Sequence, residues 1–479
     1  MPPVESHHMA HSELYCTYLV ILKIHNGSIR LFDSSYVSLS KTQPFKILCH
    51  DMDTRSTEGT QQNEGADIKV FVLDKQTTPT DKSLFQSQQL SGGCELGPDS
   101  DMAIFMTSPM DSSRKASYAI EIALGDGSGK EQCKKIGMAY IYLETRFSTQ
   151  GTQRMQIMGS QNNIPVGQIQ VEYLIVTNPH GYGVEAPIPK WLSNVNQLHA
   201  GHRGAGSGCR ADLAGKPVVE NTVESFNFAA RHGADMCELD VMCTADGVPV
   251  VYHNYILDTR KPGTSQIDEL TMDELKRLRD KSIHDENCTQ HSRTNALDSQ
   301  PESSQPFPTL EVVLRDVDKS CALNVELKWA QLLPNGKNEA IQYREINDYV
   351  DRVLDCMFKH DNGRPIMLST LNADIAMLLR LKQTKYPVLF LTTGDSQRFN
   401  DPTTKSIKNA IHFAQAFDMA GVNPNVATLN EFLVRYAQNR GLLVYAWGKI
   451  ESAQAINELR RYGINGVIYD KIDLIKPQY

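Results

Sequence analysis

Residues 220–242 read ENTVESFNFAARHGADMCELDVM. Glu220 to His232 is a helical run, stopped by Gly233. Met236 to Met242 follows as an apolar strand that carries two acids, Glu238 and Asp240. The same helix-and-strand handover repeats downstream. Strands are expected at Val248–Tyr252, Ala322–Leu327, Ile366–Ser369, Val388–Leu391, Ala420–Val422, Leu442–Trp447 and Gly466–Tyr469, with Leu198–Gly201 ahead of them. Helical runs such as Leu310–Val317, Ile346–Phe358, Ala373–Leu381, Leu429–Gln438 and Ala453–Arg461 fall between them. About eight such pairs match the size of a (β/α)8 TIM barrel of roughly 250 residues. A doubly wound open sheet is the competing α/β architecture, but no GxGxxG follows a strand.

Upstream the pattern changes. Residues 1–178 carry short strand-like runs, Leu14–Ile24, Phe45–Cys49, Ile68–Leu73, Ala139–Leu143 and Val166–Val176, parted by turn-forming residues. This predicts an antiparallel β-sandwich. Asp51–Gly65 and Asp74–Ser91 read as long loops, and the polar Ser282–Gln305 as an insertion on the barrel. Pro179, Pro187 and Pro189 mark a linker over 179–195, which leaves 196–479 for the barrel.

Among 479 residues, Lys+Arg number 48 and Asp+Glu 56, a net charge of −8. That balance gives no reason to expect a nucleic-acid partner. No apolar run approaches the 18 to 20 or so residues of a transmembrane segment. Without an export signal, the expected compartment is the cytoplasm. The ten cysteines form no CxxC pair and are expected as free thiols.

Five segments carry chemistry. Gly201-His202-Arg203-Gly204 ends the first barrel strand, where barrel active sites lie. Glu238 and Asp240, two apart on one strand, point to one side, and burying both calls for a compensating cation. His253 ends the run Pro249-Val-Val-Tyr-His253. Glu326 and Lys328 again share a strand face, and Tyr445 and Trp447 end a late strand. Taken singly, each has a bland account: a surface turn, solvated acids, a capping histidine, an ion pair, core aromatics. Chance rarely supplies all of them together at strand ends.

The ordered set resembles the glycerophosphodiester phosphodiesterase family, in His202-Arg203-Gly204, Glu220-Asn221-Thr222, Glu238-Leu-Asp240, Pro249-Val-Val-Tyr-His253 and Glu326-Leu-Lys328. Within it the chain is most similar to the cytosolic glycerophosphocholine phosphodiesterase branch, whose C2-like part the N-terminal 178 residues resemble. The resemblance implies metal-dependent hydrolysis of a small glycerophosphodiester, glycerophosphocholine first, to glycerol 3-phosphate and choline in glycerophospholipid catabolism. It implies Glu238, Asp240 and Glu326 as ligands of a divalent cation, Mg²⁺ or Ca²⁺. His202 and His253 become the general acid and base, and Arg203 and Lys328 the phosphate contacts. Trp447, with Tyr445 and the loop around Asp395, is the candidate for a choline head group. One departure stands out: Asn254 follows His253 where the family has Asp. The alternatives are a lysophospholipase D-type enzyme, a binding or scaffold protein with a degenerate barrel, and a carbohydrate-binding role, which no aromatic platform in the sequence supports. A weak membrane or protein contact is open to the N-terminal domain.

Overall fold

The computed structural model describes residues 17–41, 43–53, 67–74, 85–88, 93–125, 133–144, 148–193, 197–212, 215–257, 265–282 and 302–477. The chain divides into two compact units, the first ending at Tyr182 and the second beginning at Gly183. Most of the stretches read as long loops, and most of the Ser-rich insertion, lie outside the described residues.

The first unit contains β1 (Thr17–His25), β2 (Ile29–Leu31), β3 (Phe45–Asp51), β4 (Ile68–Asp74), β5 (Gln86–Ser87) and β6 (Cys94–Leu96). It continues with β7 (Ser100–Thr107), β8 (Met110–Asp111), β9 (Ala116–Leu124), β10 (Lys134–Leu143), β11 (Gln150–Gly159) and β12 (Pro165–Thr177). They form one antiparallel sheet whose main path runs β5-β4-β7-β1-β12-β11-β10-β9-β3-β6. Strands from both ends of that path share one core: Val70 and Phe105 meet Ile47, Ile120 and Ile141 around Val20 and Leu22. The sheet therefore folds over on itself, with alternate residues inside. β11 was not evident in the sequence, because its residues Thr152, Arg154 and Gln156 are exposed and leave little apolar signal.

The second unit contains β13 (Leu198–Gly201), the hairpin β14 (Cys209–Ala211) and β15 (Pro217–Val219), β16 (Met236–Cys243), β17 (Pro249–Val251), β18 (Ala322–Leu327) and β19 (Ile366–Thr370). β20 (Val388–Thr392), β21 (Gly421–Pro424), β22 (Leu443–Trp447) and β23 (Gly466–Tyr469) complete it. Eight of these, β13, β16 and β18 to β23, pair in parallel, and β13 bonds both β16 and β23, which closes the barrel. Met236, Ala322, Met367, Leu389 and Tyr445 fill its interior with Leu192.

β17 departs from the expected pattern. It runs antiparallel to β16, with Val251 opposite Val241, and lies outside the closed ring. The helix expected from Glu220 begins instead at Val223, capped by the Thr222 side chain, which accepts from the Ser225 N–H. Asn221 has φ +57 and so cannot belong to that helix. Among the described residues no helix is long and apolar enough to cross a membrane. Seven described cysteines are free, but Cys209 is disulfide-bonded, against the expectation of free thiols throughout.

Candidate active site

The site gathers where β13, β16 and β18 lie side by side. Asp240 pairs in register with Glu326, and Glu238 with Asn324, so the acids of β16 and β18 project into the barrel together. Oxygens of Glu238, Asp240 and Glu326 all lie within 4.8 Å of one another. Glu238 and Asp240 are buried, at 4% and 1% exposure.

Charge balance decides what this cluster needs. Arg203 Nε is 3.5 Å from Asp240, and its Nη1 donates to both oxygens of Glu220 at 3.2 and 3.0 Å. Lys328 Nζ lies 3.6 Å from Asp240 and 3.5 Å from Glu326. Two cationic side chains thus face four carboxylates. Burial, and then the charge of Asp240, pushes Glu238 up to about 8. Burial likewise raises Glu326, although Lys328 opposes it. Asp240 is held well below the usual carboxylate range despite its burial, by His253, Lys328 and Arg203 and by the Asn221 amide, which donates to it at 2.9 Å. Three hard oxygen donors with an excess of negative charge fit a divalent cation such as Mg²⁺ or Ca²⁺.

The loop after β13 is shaped by close backbone packing. A Cβ on Gly201 would lie 2.2 Å from the Gly204 carbonyl oxygen, so no side chain fits there. Arg203 itself has φ +49, and its N–H donates to Glu238 at 2.9 Å. This turn sets His202 between two acids: Nδ1 is 2.9 Å from Asp470, and Nε2 is 4.0 Å from Glu238. Burial works to lower the His202 pKa, but the Asp470 bond and the Glu238 charge outweigh it and leave it raised.

His253 reaches the site by another route. The turn after Cys243 sends β17 back antiparallel, and the Tyr252 N–H donates to the Asp240 carbonyl at 3.0 Å. The next residue therefore arrives at the level of Asp240. His253 is not at a barrel-strand end, as the sequence pattern suggested, but on a hairpin appended to β16. Its Nδ1 is 2.7 Å from the Asn254 side-chain oxygen, and burial holds its pKa down to about 4. An amide oxygen accepts as an aspartate would, without its charge.

The aromatic candidates separate. Tyr445 is fully buried with its hydroxyl 3.4 Å from the Leu192 carbonyl, so it belongs to the barrel core. Trp447 is partly exposed, and its indole N–H donates to the carbonyls of Thr392 and Asn423 at 3.2 and 3.0 Å. Asp395 lies in the loop beyond β20, its N–H donating to Thr428 Oγ1 at 3.3 Å. A cavity beside Tyr255, Lys328 and Trp329 holds only about 20 Å³, room for a water but not for a trimethylammonium group.

Asn221 and Asp470 are the contacts whose roles sequence reading missed. Asn221 stood in a quoted motif and Asp470 directly follows the last expected strand, but only the folded backbone shows Asn221 bonding Asp240 and Asp470 bonding His202.

The glycerophosphoryl diester phosphodiesterase family model matches residues 202–474, and the GDE1-like C2 domain model matches residues 16–179. Glycerophosphocholine phosphodiesterase GPCPD1 of Homo sapiens is 31% identical, over 67% of this chain and 51% of its own length. The putative glycerophosphocholine phosphodiesterase GPCPD1 homolog 1 of Caenorhabditis elegans is 26% identical, over 95% of this chain and 74% of its own. Glycerophosphocholine phosphodiesterase gde1 of Schizosaccharomyces pombe is 31% identical, over 58% of this chain and 28% of its own. The chain spans about half the length of the mammalian relatives it matches.

Proposed function

The chain belongs to the glycerophosphoryl diester phosphodiesterase family, and from that premise we propose that it hydrolyses glycerophosphodiesters, with glycerophosphocholine cleaved to glycerol 3-phosphate and choline. The observation that carries this reading is the convergence of Glu238, Asp240 and Glu326 within 4.8 Å, flanked by two imidazoles and two cationic side chains.

Glu238, Asp240 and Glu326 would hold a divalent cation, Mg²⁺ or Ca²⁺, which when bound takes up negative charge on the phosphodiester. Arg203 and Lys328 draw the phosphate oxygens between them and offset the charge that grows during displacement. His202 and His253 form the acid–base pair. Each has Nδ1 committed, to Asp470 and to Asn254, which leaves Nε2 as the atom that exchanges a proton with the substrate. Asn221 and Glu220 keep Asp240 and Arg203 in position. Trp447 offers its ring to the quaternary ammonium. In this reading the first unit contributes no catalytic group and provides the contact surface to other molecules. A cytoplasmic setting fits the seven free cysteines, while the Cys209 disulfide is the feature that argues for a more oxidising one.

The test is hydrolysis of glycerophosphocholine, glycerophosphoethanolamine, glycerophosphoinositol and a lysolipid, side by side with added Mg²⁺ or Ca²⁺. Glycerophosphocholine is expected to have the highest kcat/KM. Faster turnover of the lysolipid would move the reading to a lysophospholipase D-type enzyme. No turnover of any diester would leave the barrel as a scaffold.

A further inference from the structure

The first unit carries a groove that the barrel chemistry does not use. It is an open, polar groove of about 330 Å³, lined by the turn Asn26-Gly27-Ser28, Arg30, Arg154, Gln168 and Gln170. We propose that it binds a phosphomonoester, through Arg30 and Arg154.

Sheet register brings the two arginines to one face. Arg30 on β2 is paired with Gln168 on β12, and Arg154 on β11 is paired with Gln170. Directly opposed residues of antiparallel strands share a face, and so do residues two apart on one strand. Arg30, Gln168, Gln170 and Arg154 therefore project together, with β12 between the two guanidinium-bearing strands. Strands lie about 4.8 Å apart, so the two arginine backbones are separated by roughly 10 Å across the sheet. Two long side chains at that separation can close on a single anion between them.

The charges point the same way. Among the described residues no carboxylate lines the groove, although acids outnumber bases in the chain by 56 to 48. Arg154 donates to the neutral Gln170 side chain at 3.1 Å. Neither arginine makes an ion pair among the described residues, whereas Lys23 and His25 on the neighbouring β1 both meet Glu172, at 3.2 and 3.1 Å. Two uncompensated guanidinium forks match the charge of a phosphomonoester dianion, and the amides of Gln168 and Gln170 add neutral donors. A phosphodiester, with a single charge, would leave one fork unmatched. The group can come from a small soluble molecule or from a lipid head group; the recognition chemistry is the same.

The experiment uses the full chain. Binding of phenyl phosphate, a phosphomonoester that the reaction proposed for the barrel neither consumes nor releases, is measured by titration. In a second arm, binding is measured to phosphatidylcholine vesicles with and without phosphatidic acid. The variants are Arg30→Gln with Arg154→Gln, and, as a charge-matched control, Lys41→Gln with Lys115→Gln, two solvent-exposed lysines of the same unit. Saturable binding in at least one arm is expected. The arginine pair should weaken it by about tenfold or more and the lysine pair by less than about twofold. Binding in the vesicle arm alone assigns the group to a lipid, and binding in the titration alone to a soluble phosphate; either supports the site. No binding in both arms, or equal loss in the two double variants, overturns it. Failure of the barrel assay would not affect this result, since no barrel residue enters it.

Discussion

His202 and Asp470 stand 268 positions apart in the chain and 2.9 Å apart in space, Nδ1 to Oδ1. The carboxylate is itself fixed, since the Ser207 N–H donates to the same oxygen at 2.9 Å. An ionised carboxylate only accepts, so the imidazole must present N–H at Nδ1. Nε2 is then the atom turned toward Glu238 and the acidic cluster. Ring orientation and tautomer are thus set by a residue that follows the last barrel strand.

Asp470→Asn should therefore lower kcat by about tenfold to a hundredfold with little change in KM, because an amide can present N–H to Nδ1 and reverse the tautomer. Steady-state kinetics on glycerophosphocholine make the comparison. An unchanged kcat would show that Asp470 does not control the ring.

Removal of divalent cation by a chelator should bring hydrolysis to background, and Mg²⁺ or Ca²⁺ should restore it. Asp240→Asn should abolish activity with the circular dichroism spectrum retained. Full turnover in metal-free protein, with metal content measured as nil, would remove the cation from the site.

His202→Ala and His253→Ala should each cost about 10²-fold or more in kcat, the scale of a lost general acid or base. Wild-type turnover in either variant would return that histidine to a structural role.

Trp447→Ala should reduce the kcat/KM ratio of glycerophosphocholine over glycerophosphoinositol by about threefold or more, the worth of a modest cation–π contact. An unchanged ratio would leave the substrate assignment standing and take Trp447 out of it.

A pH effect on stability comes from His412, which lies outside the catalytic cluster. It is 2% exposed, with Nε2 2.7 Å from the Tyr436 hydroxyl, and burial with the charges of Arg440 and Lys408 holds its pKa down to about 4. An unfolded histidine titrates near 6.5, so on acidification the unfolded chain takes up this proton first. The contribution is fully present above about pH 6.5 and is lost as pH falls toward 4. Between pH 7 and 5 the loss from this group is on the order of 1–2 kcal/mol. His412→Leu should show a correspondingly shallower fall in unfolding free energy over that range. Identical slopes would contradict the neutral buried ring.

The barrel was legible because its strands are buried on both faces and read as unbroken apolar runs, as Ile366–Thr370 and Val388–Thr392 do. The acids of β16 and β18 were legible because carboxylates interrupt such runs. The direction of β17 was not, since a short apolar run such as Pro249–Val251 looks the same parallel or antiparallel. The partnership of His202 with Asp470 was hidden for a different reason: it depends on ring closure, which no local pattern encodes. Asn221 was absorbed into an expected helix, and only its positive φ sets it apart.

The seam between β13 and β23, where Leu198 pairs with Gly466 and Gly201 with Tyr469, also dictates when the candidate site can be complete. A ribosome delivers β13 first and β23 last of the eight, so a nascent barrel carries His202 in an open arc until β23 has emerged. Joining ends so distant along the chain is the slow kind of step in folding. During that interval β13 presents an unpaired edge, and chaperone capture or edge-to-edge aggregation competes with closure. Catalytic competence should therefore appear all at once, when β23 pairs with β13, rather than growing with the length of the chain.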